Sequence, residues 1–194
     1  MSDQSIEQYI AGRVEQSIRV SALPSDVYAF SLWLHHEDDD PRRPVLWLGS
    51  NTETQVKSVV DAASSPEEAR WNFTFWQQDT LTEIGGNNDP DGAEVVEAWF
   101  KNDAGLWFTD EDEVADFDRA MELGQEMHEA LFRGAADAVA LVHGSGSSVG
   151  PKGTPLPIIV HELEYFDEIA IANERVNPSG LLPSGFFAWC RGEA

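Results

Sequence analysis

The segment VYAFSLWL at residues 27–34 consists almost entirely of aromatic, branched and small apolar residues, which favour a β-strand. The polar segment HHEDDDPRR follows at residues 35–43, and a second apolar stretch, VLWL, occupies residues 45–48. Two such segments joined by a polar connection are typical of an antiparallel hairpin. We therefore expect a hairpin with an enlarged loop, whose first strand is buried on nearly all of its surface.

Helical patterns flank this hairpin on both sides. Apolar residues recur every three or four positions in residues 2–20, 52–63, 93–101 and about 111–134, where Gly134 is expected to end the longest helix. We also expect helices at 165–175 and 181–189, a strand at 156–163, a third strand at 139–143, and a strand or extended segment at 70–76. Residues 144–155 are rich in Gly and Ser and predict a flexible loop. The whole pattern predicts one α+β domain over residues 1–194, with a mainly antiparallel sheet covered by helices.

Composition separates the possible classes of partner. The chain has 194 residues, 42% of them hydrophobic, which is enough for a packed core. Its formal charge of −23 disfavours binding to nucleic acids and to anionic membranes, because both are themselves negatively charged. No apolar run reaches the length of a membrane span, and residues 1–10 lack the features of a signal peptide, so we expect a cytoplasmic protein.

The negative charge is concentrated in one part of the chain. Between Asp79 and Asp118, thirteen Asp and Glu residues face the single base Lys101. One interpretation is that the acidity only serves solubility; the other is a negatively charged face that meets a basic partner. The second interpretation makes candidate binding residues of the acids at the start of the predicted long helix, namely Asp110, Glu111, Asp112, Glu113, Asp116 and Asp118.

No cofactor or metal motif is complete. In GSGSSVGPKGT, Pro151 separates Gly150 from Lys152, so the phosphate-binding arrangement of a P-loop is missing. The run His35–Asp40 contains two imidazoles and four carboxylates, but contiguous residues in one loop rarely converge on an ion. We interpret it as a solvated loop, with adventitious binding of a divalent cation as the alternative, and predict neither a cofactor nor a metal site.

The evidence for catalysis is similarly thin. His161, Glu162 and His143 are the best candidates for an enzyme of unrecognised type, and they would have to line one cleft. Cys190 lies in the apolar segment FFAWCRG, where a buried thiol is more common than a nucleophile.

Several segments together resemble a bacterial family, the domain of unknown function numbered forty-three-oh-three. These are YAFSLWL at 28–34, GSNTE at 49–53, RWNFTFW at 70–76 and PIIVHELEYFDEIAIANERVNP at 157–178. The resemblance covers roughly residues 5–178, while HHEDDDPRR and residues 144–155 depart from it. It implies an α+β fold and a bacterial setting, but no activity and no catalytic residue.

These observations predict a non-enzymatic, immunity-like protein that binds or neutralises a basic protein through an acidic face. The alternatives are a structural or regulatory domain whose acidity serves only solubility, and an enzyme of unrecognised type. A binding face predicts localised charge, whereas solubility alone predicts charge spread evenly over the surface.

Overall fold

A four-stranded sheet forms the centre of the protein. The computed structural model describes residues 4–163 and 167–193. Strands β1 (Val27–His36), β2 (Pro44–Thr52), β3 (Thr82–Gly85) and β4 (Ile158–His161) lie in the order β3-β2-β1-β4. β1 pairs antiparallel with β2, β2 pairs antiparallel with β3, and β4 runs parallel to β1. The sheet is therefore mainly antiparallel, and the α+β fold predicted from the sequence is confirmed.

The predicted hairpin is present and is longer than expected. Trp33 lies opposite Trp47, and the pairing continues to His36 and Pro44. The loop between the strands includes a 3-10 turn, Glu37–Asp39, in which Asp38 and Asp39 have positive φ angles of 55° and 56°. Asp and Asn tolerate this left-handed backbone better than most residues. The acidic loop is thus a defined turn at the end of the sheet.

Helices cover both faces of the sheet. Those within the described residues are α1 (Ile6–Val20), α2 (Glu53–Val59), α3 (Pro66–Trp71), α4 (Pro90–Trp99), α5 (Asp110–Ala115), α6 (Phe117–Gly144), α7 (Asp167–Val176) and α8 (Ser184–Cys190). Ser5 and Gln8 form a capping box at the start of α1, and Thr52 caps α2. Positions 2–3 of the first predicted helix, and positions 165–166 of the helix predicted at 165–175, lie outside the described residues.

Alternate residues of β1 enter two separate apolar clusters. Phe30, Leu32 and Leu34 pack in a cluster with α1 and α6 on one face of the sheet. On the other face Ala29 and Trp33 pack in a cluster with α3 and α8. Since successive side chains of a strand point to opposite faces, burial of both faces explains why the segment is apolar throughout.

Residues 70–76, predicted as a strand or extended segment, are mostly helical in the structure, and so is the strand predicted at 139–143. Residues 70–76 alternate like a strand, but Ser65 caps α3 and Pro66 occupies its first turn, so Arg70 and Trp71 end a helix. A 3-10 turn, Phe73–Phe75, follows. Residues 139–143 lie inside α6, where Val139 and Val142 are buried at helical spacing.

The longest helix has different limits from those predicted. It breaks at Asp116, which separates α5 from α6, and it continues through Gly134 to Gly144. Gly134 is buried where α6 packs on α1, and a Cβ built on it would lie 3.5 Å from Ile6. Gly134 therefore does not act as a helix terminator.

Candidate acidic binding surface

The six predicted binding acids lie together at the junction of α5 and α6. All but the half-buried Glu113 are exposed. Between Asp110 and Glu129 the sequence holds nine Asp and Glu residues, with Arg119 as the only Lys or Arg. The surface of α5 and the first half of α6, called here the α5–α6 surface, is therefore strongly negative.

Two of these acids build the helices on which they lie. The Thr109 side chain accepts a hydrogen bond from the Asp112 amide, and Asp112 in turn accepts from the Thr109 amide. Asp116 accepts a hydrogen bond from the amide of Arg119 and so caps α6. The hydrogen bonds between Thr109 and Asp112 hold the pKa of Asp112 below its ordinary value. Both residues have structural roles in addition to any role in binding.

Asp110 links α5 to the hairpin loop through Arg42. The Arg42 guanidinium lies 2.6 Å from Asp110 and 2.8 Å from Asp40, with Glu113 at 3.8 Å. The hydrogen bonds that Arg42 donates lower the pKa of Asp40, and the same bonds, accepted by Asp40 and Asp110, raise the pKa of Arg42. Arg42 therefore offsets part of the negative charge of Asp40, Asp110 and Glu113.

Three apolar side chains on this surface are exposed to solvent. Val114 is 89% exposed, Phe117 60% and Met121 58%. The three- and four-residue spacing of apolar residues in the helix predicted at about 111–134 assigns all three to its core stripe, and this prediction is wrong. Gly124 and Met127 of the same stripe are buried, together with Ala120, whereas Phe117 and Met121 in the first two turns of α6 are not. We call Val114, Phe117 and Met121 the apolar ridge.

A groove lies beside the apolar ridge, between the hairpin loop and α6. It has a volume of about 660 Å³. Its apolar lining comes from Pro41, Phe108, Ala120 and Met121, and its acidic lining from Asp38, Asp39, Asp40, Glu113 and Glu122. A Cβ built on Gly124 would lie 2.8 Å from the Pro41 ring, so a glycine is needed where the loop meets the helix. The structure thus brings together two sequence features that were interpreted separately, the HHEDDDPRR loop and the acids of 110–118.

The histidine pair behind this groove shows no metal-ligand geometry. His36 lines the groove, and its ring centroid is 5.1 Å from that of His128, whose Nε2 lies 2.9 Å from Glu162. Burial lowers the pKa of His36 to about 4. Within residues 4–163 and 167–193, no group of three or more His, Cys, Asp or Glu side chains is placed to hold a metal ion.

The candidate catalytic residues do not share a cleft. His161 is fully buried against Phe73; its Nδ1 donates to the Glu162 carbonyl and its Nε2 accepts from the Ser31 hydroxyl at 2.5 Å. The Glu162 carboxylate instead reaches His128 on α6, on the other side of the sheet. His143 bonds to Asn177 at the far end of α6. This arrangement does not support the enzyme hypothesis built on these residues.

The remaining candidate side chain, Cys190, is buried in the core. Burial raises the pKa of the Cys190 thiol to about 12, so the thiolate is disfavoured.

Residues 144–155 are more ordered than predicted: Val149 bridges to Pro155, and the buried Ser148 donates to the Leu156 carbonyl. None of the described helices is both long enough and apolar enough to cross a bilayer.

The architecture defines the class of the protein as α+β, with one mainly antiparallel sheet between two helical layers. No family model, no curated protein and no solved structure matches the chain. The resemblance to the bacterial family of unknown function therefore stays an expectation, and the functional argument depends on the α5–α6 surface.

Proposed function

We propose that this protein is a non-enzymatic binding or neutralising protein that uses the α5–α6 surface to bind a basic protein. The observation that carries the proposal is the apolar ridge, three exposed side chains surrounded by carboxylates. Apolar patches with polar rims mark protein interaction sites more often than chance exposure does.

The local charge supports a basic partner. Glu111 and Asp118 are exposed on the α5–α6 surface and are not the helix caps, so their charge is directed to solvent. Arg119, the base within this region, already pairs with Glu122 and Glu126. The surface therefore offers uncompensated negative charge, which steers and orients a cationic partner.

The apolar ridge also weighs against the solubility interpretation. A surface selected only for solubility is expected to combine charge with few exposed large apolar groups. Here Phe117 and Met121 are exposed one helical turn apart within the most acidic part of the chain. A partner-binding surface accounts for that combination better than solubility alone does.

The test compares two variants with the same net charge. Glu111→Gln with Asp118→Asn removes two charges from the α5–α6 surface, and Asp61→Asn with Glu174→Gln removes two exposed charges elsewhere. Calorimetric titration with basic proteins such as cytochrome c is expected to show binding that weakens steeply with salt. The first variant should lose about fivefold in affinity, because each exposed charge contributes modestly, while the control variant should bind like the wild type.

Three results would contradict the proposal. They are the absence of binding, binding that does not respond to salt, and equal losses in the two variants. Equal losses of affinity would mean that binding depends on the overall charge of the chain, which would favour the solubility interpretation.

A further inference from the structure

We infer that the partner segment bound by the apolar ridge is a cationic amphipathic helix, whose apolar side chains pack on Phe117 and Met121 while an Arg or Lys side chain enters the adjoining groove. This inference rests on the proposed function and specifies which segment of the partner is bound. It is carried by the shape of the surface together with its charge.

The spacing of the apolar ridge suits a helix. Phe117 and Met121 are four residues apart on α6, so their side chains lie one above the other on one side of the helix. Val114, on α5 before the break at Asp116, is exposed as well. A second helix can pack its own apolar stripe, with the same three- and four-residue spacing, along such a row.

The groove suits the side chain of Arg or Lys. Phe108, Ala120 and Pro41 provide an apolar lining for an aliphatic stem, and Asp39 and Glu113 provide carboxylates for the charged end. Arg42 also lines the groove and lies 4.8 Å from the Phe108 ring, so it occupies this part of the lining and leaves Asp39 for the incoming cation. Asp39 belongs to the 3-10 turn of the hairpin loop and has a left-handed backbone.

Charge complementarity determines the occupant. A second copy of this chain carries −23 and would bring its own negative charge to an acidic surface. Most of its twelve bases are already in ion pairs, as in Arg13–Asp89 and Arg70–Glu53. A membrane of anionic lipids would be repelled as well. A helix with an apolar stripe flanked by Arg or Lys can pack its stripe on the apolar ridge and place its cations beside the surrounding carboxylates.

The experiment uses two synthetic peptides of identical composition. One is a Leu/Arg peptide with leucines at helical spacing, and the other is its scrambled form, each labelled with a fluorophore for anisotropy. The helical peptide is expected to bind the intact chain about tenfold more tightly than the scrambled peptide, because only the helical peptide can pack its leucines on both Phe117 and Met121. Phe117→Ser with Met121→Ser should abolish this difference. Leu141→Ser with Ile171→Ser, which removes exposed apolar groups elsewhere, should preserve it.

A second pair of substitutions tests the groove. Asp39→Asn with Glu113→Gln removes two groove charges, and Asn tolerates the left-handed backbone at position 39. We expect severalfold weaker binding of the helical peptide, whereas Asp61→Asn with Glu174→Gln should leave it unchanged. Urea unfolding midpoints check that every variant is folded.

The outcomes separate this inference from the proposed function. If both peptides bind equally well and the serine variant binds like the wild type, the inference is wrong while the acidic-surface proposal stands. If neither peptide shows salt-sensitive binding, both are wrong. If sedimentation shows a dimer that the serine variant disrupts, a second copy covers the ridge and the inference is overturned.

Discussion

Chemically similar acids on the α5–α6 surface have different local partners. Asp112 and Asp116 cap helices, Asp110 pairs with Arg42, and Glu111 and Asp118 project into solvent. The cluster is visible in the sequence by its density, and in the structure the six acids lie on α5, at Asp116 and at the start of α6, five of them exposed. The separate roles could not be predicted, because they depend on the break at Asp116 and on Arg42, which lies 68 residues from Asp110.

The apolar ridge was missed for a similar reason. Val114, Phe117 and Met121 continue the helical spacing of Gly124, Met127 and Leu131, so periodicity alone assigned them to the core. In the structure these three residues of α5 and the start of α6 are exposed, while later residues of the same spacing are buried.

At the scale of single residues, buried histidines make stability depend on pH. Burial lowers the pKa of His161 from 6.5 to about 4. Between these two values the unfolded chain binds a proton that the folded chain does not, so the free energy of unfolding decreases as the pH falls from about 6.5 to about 4. One such group contributes a slope of up to about 1.4 kcal/mol per pH unit, and His36 adds to it in the same direction.

Urea unfolding at a series of pH values measures this effect. His161→Gln keeps a polar side chain beside Ser31 but removes the titrating ring, so we expect a flatter pH dependence than in the wild type. Parallel pH profiles for the two proteins would show that His161 is not the group responsible.

At the scale of elements, sequence patterns were most reliable where burial and local preference agree. β1 and β2 were predicted correctly, because a long apolar segment rich in β-branched and aromatic residues meets a second one across a polar loop. β3 was missed, because residues 82–85 are few and only Ile84 and Gly85 are buried. Residues 139–143 were misassigned, because a short apolar run does not distinguish a strand from the buried face of a helix.

Replacing two glycines of α6 by alanine is expected to change the stability of the protein in opposite directions. Gly134→Ala adds a Cβ at ordinary contact distance from Ile6, so the gain in helix propensity should stabilise the fold by about 0.5–1 kcal/mol. Gly124→Ala offers the same gain in propensity but meets the Pro41 ring at 2.8 Å. We expect overpacking to outweigh that gain and to destabilise the protein by about 1 kcal/mol.

The same measurement, the free energy of unfolding in urea, serves both variants. If Gly124→Ala stabilised the protein as much as Gly134→Ala does, the close contact between the hairpin loop and α6 would be wrong. The shape of the groove would then be wrong with it.

At the scale of the whole molecule, the formal charge of −23 has a regional origin. The sequence placed its highest density between Asp79 and Asp118, and the fold gathers the last six of these acids beside the acidic hairpin loop. Neither segment alone reveals the groove, since it forms only when β1 and β2 carry their loop to α6. The candidate surface is therefore a property of the tertiary fold, although its charge was visible in the sequence.

Amide hydrogen exchange of the wild-type chain, with and without the helical Leu/Arg peptide, tests the central claim most directly. We predict slower exchange confined to α5, the first half of α6 and the hairpin loop at 37–43, since these segments form the ridge and the groove. Unchanged exchange there, or protection centred instead on α7 and α8, would contradict the assignment of the α5–α6 surface as the binding site.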